Sequence, residues 1–244
     1  MSDPQDSPPL ADTPPAPGEA PREPGAVKVS LRTATVLLLF TIVFTALMAY
    51  THDATKPILD ASAQAQKLKL IGEVLPPGLY DNDLLADTVM LPATPALGLE
   101  EPSPAYRARK GGEPVALVFE AGANDGYSGR IGLVLAVLAD GRLRAVRVSQ
   151  HKETPGLGDY IDPKKDKNKA QPWIDQFNGH GYDLALGGHW KVKKDGGRFD
   201  ARAGATISAR AVTNASGKAL VWVAERRTAL FDLPAGATLQ EKAP

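Results

Sequence analysis

Between Arg32 and His52 the chain carries no charged residue, and the run Thr33–Thr51 contains Val36-Leu37-Leu38-Leu39-Phe40 and Ile42-Val43-Phe44. As a helix, these 19 residues rise about 1.5 Å each and span roughly 28 Å, close to the hydrocarbon core of a bilayer. A cleavable signal peptide carries a shorter apolar region, about 7–15 residues, nearer the N-terminus. The pattern therefore predicts an uncleaved single transmembrane helix over residues 27–51. Past it, Ile58, Ala61, Ala65, Leu68, Ile71 and Leu75 recur at steps of three and four until Pro76-Pro77-Gly78. That spacing predicts an amphipathic juxtamembrane helix over residues 52–78, either a stalk packed on the following domain or a face for a partner.

Residues 79–112 are Pro-rich and irregular, with few clear elements. Strands are predicted at Val115–Ala121, at the fully apolar run near Ile131–Leu138, and at Leu143–Ser149. Asp140-Gly141 supplies a tight hairpin turn between the last two, and the alternation slips between Leu143 and Val146, as a bulge would make it. Pro172 opens a short helix with Trp173 and Phe177 one turn apart, closed by Asn178-Gly179. Ala209, Val212, Ala215, Ala219 and Val223 mark a long final helix, with Ser208 as its N-cap. Strands and helices without strict alternation indicate an α+β domain over residues 79–232, followed by a C-terminal tail over 233–244.

Composition narrows the chemistry. Residues 1–26 hold eight of the 21 prolines and predict a disordered tail. Twenty-eight basic residues balance 28 acidic ones, which leaves no cationic excess for nucleic acid. There is no cysteine, so thiolate metal sites, iron–sulfur clusters, disulfides and thiol nucleophiles are excluded, and 4 histidines make a poor metal centre. No metal site and no autonomous catalytic residues are expected. Such a chain works through an organic cofactor or through none. Lys28 and Arg32 sit against the anchor, while Lys56, Lys67 and Lys69 follow it, a small bias toward a cytoplasmic N-terminus.

Two segments carry candidate chemistry. Asp200-Ala201-Arg202-Ala203-Gly204-Ala205-Thr206-Ile207-Ser208 crowds small residues around one threonine hydroxyl at a helix N-terminus, where orphan amides suit a phosphate or serve as a plain cap. His151-Lys152-Glu153-Thr154-Pro155-Gly156-Leu157-Gly158 is a loop of defined shape whose glycines let backbone approach a ligand. The four lysines Lys164, Lys165, Lys167 and Lys169 make a basic loop, solvated or a docking patch.

Together the two segments resemble the covalent-FMN domain of the G subunit of the Rnf/Rsx electron-transport complex, which is similar to the covalent-FMN subunit of the sodium-translocating NADH:quinone reductase. That family's flavinylation motif, Asp-x-x-(Ser/Thr)-Gly-Ala-Thr, stands here as Asp200 to Thr206, with Ala203 in place of the hydroxyl residue. The resemblance also takes in Gly126-Tyr127-Ser128-Gly129, Ser149–Asp159, Trp173–Gly179, Lys193–Gly197 and the N-terminal anchor. It implies that a flavin transferase moves FMN from FAD onto Thr206, with Asp200, Gly204 and Ala205 as the attachment motif and Ser208 nearby. It implies that Glu153, Thr154, Leu157 and Gly158 wrap the flavin on one side and Tyr127, Ser128 and Gly129 on another. The expected protein is an electron-relay subunit of an ion-translocating oxidoreductase between ferredoxin and NAD. Its partners are the other Rnf-type subunits, the transferase and the lipid bilayer, with the domain on the periplasmic side of a bacterial inner membrane. Two other readings stand beside it, an FMN-carrying subunit of a quinone-linked complex and a cofactor-free assembly module.

Overall fold

A computed structural model describes residues 25–240 of the chain. The tail expected over residues 1–26 lies, up to Pro24, outside the described residues, as do the last four residues of the one expected over 233–244. The described residues divide into two units between Asp60 and Ala61. Helix α1, Ala26–Val74, begins in the first. Its stretch Val27–Leu59 is long and apolar enough to cross a membrane, and its large apolar side chains are exposed along the whole length. The hydroxyls of Thr33, Thr35, Thr41 and Thr51 each donate to the carbonyl four residues back, at 2.8–3.0 Å. Hydroxyls so engaged need no water, which is what a lipid-facing helix requires.

The second unit is built on a five-stranded antiparallel meander in the order β1 (Thr88–Leu91), β2 (Ser103–Lys110), β3 (Glu113–Gly126), β4 (Gly129–Leu138), β5 (Leu143–Gln150). One face, including Leu117, Phe119, Ile131, Leu133 and Leu135, shares a core with the last helix (Thr206–Asp232, called α3 below) through Ala209, Val212, Leu220 and Val223. A five-residue helix, α2 (Tyr182–Leu186), precedes it. The opposite face of the sheet, with Ala116, Val118, Val134 and Ala136, packs on Ile71, Val74 and Leu75 at the end of α1. Burial on both sides is why β4 reads as one unbroken apolar run and not as an alternation. Ion pairs Lys67–Glu120 at 3.0 Å and Lys164–Glu73 at 3.3 Å tie the same stretch of α1 to the domain. Ile58 and Leu68, expected on the amphipathic face, remain exposed.

The β4–β5 hairpin follows the Asp140-Gly141 expectation. Gly141, at φ 86°, donates to the Leu138 carbonyl at 2.9 Å, and the left-handed residue lets a short turn match the strand twist. The expected bulge is present: Ala136 pairs Ala145 and Val137 pairs Leu143, leaving Arg144 unmatched.

Three features differ from the sequence expectation. The stretch 79–112 holds β1 and β2, which were hidden because β1 is four residues long and β2 places arginines where an alternating strand carries apolar residues. Arg107 is only 3% exposed, pairs with Asp87, and donates to the carbonyls of Leu230, Phe231 and Leu233 at the end of α3. A buried guanidinium is tolerated there because a carboxylate and a helix C-terminus share its donors. The Pro172 helix is a 3-10 helix, Trp173–Phe177, shaped by ring packing of Trp173, Phe177, Trp190 and Phe199. Ser208 is not the N-cap of the final helix. That position is Ala205, whose side chain makes no cap, and the Ser208 hydroxyl is drawn into a buried contact.

Candidate functional site

The end of β3, the start of β4 and the end of β5 meet at one edge of the sheet, where α3 also begins. Between them lies a cavity of about 120 Å³ lined by Tyr127, Glu153, Thr154, Leu157, Gly158, Gly204, Ala205, Ile207 and Ser208. Three segments far apart in sequence thus converge: the β3–β4 hairpin, the loop after β5 and the start of α3.

Each segment is shaped by its own residues. The hairpin turns through Tyr127-Ser128 between the paired Gly126 and Gly129, and a side chain at Gly126 would press on the Gly129 carbonyl. In the loop, the amides of Leu157 and Gly158 both donate to the Thr154 carbonyl, at 3.1 and 3.0 Å. Pro155 and Gly156 occupy the two central positions, and Gly156 takes φ 74°, as a type II turn requires. The chain then enters a 3-10 turn that buries Tyr160 and Ile161.

Ahead of α3, the Ala205 amide closes a turn onto the Arg202 carbonyl at 3.2 Å, with Gly204 at φ 84°. The Tyr160 hydroxyl accepts the Arg202 amide at 3.1 Å and donates to the Ala205 carbonyl at 3.3 Å. The Arg202 guanidinium lies 4.4 Å over the Tyr160 ring and pairs with the fully buried Asp166. Burial opposes charge on Asp166, but the amides of Trp173 and Asn168 and the Arg202 guanidinium outweigh it and hold its carboxyl below the usual carboxylate range. Burial pushes the Tyr160 phenol up.

Thr206 is the first residue of α3, half-buried, between the cavity-lining Ala205 and Ile207. Among the described residues none hydrogen-bonds its hydroxyl, and the amides of Thr206, Ile207 and Ser208 find no backbone acceptor. Glu153 is 3% exposed and joins all three segments: Oε1 accepts the Ser128 amide at 3.0 Å, and Oε2 accepts the Ser208 hydroxyl at 2.5 Å. Tyr127, Leu157 and Ile207 leave large apolar surface exposed around the opening.

Of the expected site residues, Tyr127, Glu153, Thr154, Leu157, Gly158, Gly204, Ala205 and Ser208 line the cavity. Ser128 touches it only through Glu153, and Gly129 serves the turn. Asp200 stands apart, in a neighbouring groove with Gln176 and Arg202. Its backbone is held by Trp173 and Gln176, while its carboxylate, mostly exposed, rests on Lys193 at 2.7 Å. Ile207 was missed by sequence reasoning, although its place next to Thr206 in the first helical turn was the available clue. Tyr160 and Arg202 were missed as well, and no local pattern marks them. Lys191 lines a separate hollow beside Trp190 and Trp222, away from this cavity.

A family model described as FMN-binding domain matches residues 126–221, and one described as RnfG N-terminal region matches residues 26–74. The chain is 45% identical over 202 residues to the ion-translocating oxidoreductase complex G subunit of Pseudomonas aeruginosa strain UCBPP-PA14, covering 82% of this chain and 92% of that one. It is 40% identical over 199 residues to the protein of the same description from Vibrio atlanticus, covering 82% and 92%. To that of Shewanella loihica it is 36% identical over 210 residues, covering 86% and 97%.

Proposed function

The chain belongs to the RnfG family of ion-translocating oxidoreductase subunits and carries an FMN-binding domain, and from that premise we propose that it relays electrons through FMN esterified to Thr206. The single observation that carries the attachment is the Thr206 hydroxyl at the first position of α3, unpartnered among the described residues and next to a cavity and to helix amides that find no backbone acceptor among them.

The residues present fit the group. The amides of the first turn of α3 would hold an ester phosphate on Thr206, and the positive end of the helix dipole would offset its charge. The left-handed Gly204 keeps side-chain bulk away from that turn. A cavity of about 120 Å³ would enclose only part of a ligand of this size, and the exposed Tyr127, Leu157 and Ile207 around its opening would hold the remainder. In the transfer, the Thr206 oxygen bonds to the FMN phosphorus of FAD, the phosphoanhydride breaks, AMP leaves and the hydroxyl proton is released. The flavin supplies electron chemistry that no side chain here offers. The protein contributes position, partial exclusion of water and the local field. Asp200, exposed next to the acceptor turn, is available for the transferase to read.

The apolar stretch of α1 anchors the protein, with the N-terminus cytoplasmic and the domain periplasmic, in line with the small charge bias of Lys28 and Arg32. Outside the cytoplasm a reversibly bound cofactor is lost by mass action, which a covalent link prevents. The partners are the other subunits of an Rnf-type complex coupling ferredoxin and NAD. Intact-mass spectrometry with peptide mapping on protein from its own membranes tests the attachment. A gain of one esterified FMN on Thr206 is expected, and an unmodified Thr206 beside an active transferase overturns it. Co-purifying subunits distinguish the ferredoxin-linked complex from a quinone-linked one.

A further inference from the structure

Attachment at Thr206 leaves one feature of the cavity unexplained, the buried carboxyl group of Glu153. We propose that Glu153 acts as a fixed negative charge that lowers the reduction potential of the flavin held at this site, with Ser208 moderating that charge through its hydroxyl. The inference rests on the reading of Thr206 as the FMN carrier.

Glu153 lines the cavity yet is 3% exposed. Its two oxygens are taken by neutral donors, the Ser128 amide and the Ser208 hydroxyl. Among the described residues no Lys, Arg or His nitrogen lies within 4.0 Å of it. The His151 ring meets the backbone of Glu153, its Nδ1 accepting the Glu153 amide at 3.2 Å. The backbone closes over the carboxylate from two sides. A Cβ at Gly126 would sit 3.0 Å from Oε1, and one at Gly158 would sit 3.0 Å from Oε2 and 2.8 Å from the Ser208 hydroxyl. These glycines therefore shield the Glu153–Ser208 pair from solvent.

Burying a carboxylate without a cation is costly. Glutamine would tie the same three segments through the same amide and hydroxyl, so the property that glutamate adds is its charge. A flavin gains negative charge as it takes up an electron, and a shielded carboxylate opposes that gain. At a separation of about 10 Å and an effective dielectric constant of about 20, the opposition would be on the order of tenfold in the one-electron equilibrium. That factor corresponds to about 59 mV.

The test is a spectroelectrochemical titration of the full chain in detergent, co-expressed with a flavin transferase, for wild type, Glu153→Gln and Ser208→Ala. Thermal melts of the unmodified proteins run in parallel to establish that each variant folds. Glu153→Gln is expected to raise the midpoint by about 59 mV, a tenfold change. Ser208→Ala keeps the charge and removes a donor, so its midpoint is expected to fall. Opposite signs from two substitutions in one contact are not produced by simple loosening of the pocket. A Glu153→Gln midpoint equal to or below wild type overturns the proposal. If that variant does not fold, an unchanged or raised midpoint in Ser208→Ala overturns it. Wild type lacking covalent flavin overturns the Thr206 reading and this one together, whereas flavinylated wild type with unresponsive variants overturns this one alone.

Discussion

The Tyr160 hydroxyl donates to the carbonyl of Ala205, the residue directly before Thr206, across a 45-residue separation in the chain. The same hydroxyl accepts the Arg202 amide, so one phenol brackets the turn that presents Thr206. The loop after β5 and the start of α3 are thereby held together beside the cavity by a group that does not line it.

Tyr160→Phe keeps the ring under Arg202 but leaves a half-buried amide without its acceptor. A loss of about 1–2 kcal/mol is expected. Chemical denaturation of the full chain in detergent, followed by tryptophan fluorescence, checks it, and a variant as stable as wild type would show that water replaces the phenol.

Thr206→Val removes the only hydroxyl of the acceptor turn while keeping a β-branched shape at a half-buried position. Covalent flavin fluorescence on a denaturing gel is expected to vanish, with stability changed by no more than about 0.5 kcal/mol. Ala203 is exposed in the same turn, so Ala203→Ser is expected to fold as wild type and to be modified at least as fast.

Gly158 has an ordinary backbone conformation, so its requirement is one of space. An added Cβ meets Ser208 Oγ at 2.8 Å and the Glu153 carboxylate at 3.0 Å. Gly158→Ala is expected to cost about 1–3 kcal/mol through forced repacking. Pairing it with Ser208→Gly, which removes the nearer atom, should recover part of the loss in the same melt.

Arg107 spans Asp87 and three carbonyls at the end of α3. Arg107→Ala strands those groups inside the fold and is expected to cost about 3–5 kcal/mol. Hydrogen exchange should report the damage first at the C-terminal turns of α3, and uniform exchange across the helix would contradict the local origin.

His180 packs edge-on against Trp190 and Phe199. Burial foremost, and then the nearby Arg198 charge, push its imidazole below the ordinary range, with Asp183 opposing. The unfolded chain therefore takes up this proton before the folded one does. Stability is expected to be full at neutral pH and to decline as pH falls below about 6.5 toward the lowered folded value. Asp166 adds a second loss further down: its carboxyl is held below the usual range, so its contribution persists above about 3.9 and disappears as acid protonates it. Melting temperature against pH should show two acid steps, and His180→Gln should remove the upper one.

What the sequence alone determined is local. The apolar run of α1, the Asp140-Gly141 hairpin with its bulge, the Thr154-Pro155-Gly156-Leu157 turn and the small residues before Thr206 each express a rule that acts within a few neighbouring positions. Apolar periodicity, a left-handed glycine or a proline-set φ leaves a mark where it acts. The contacts that finish the site leave no such mark. Ser128, Glu153 and Ser208 meet across separations of 25 and 55 residues, because strand register brings two loops to one edge and α3 packs over it. The same geometry turned Ser208 from an apparent cap into the partner of a buried carboxylate. It also made Arg107 a core residue, which concealed β2 behind a charge that solvent never sees. A charged side chain reads as surface until the fold supplies its partner, and that pairing is decided only when distant segments are packed together.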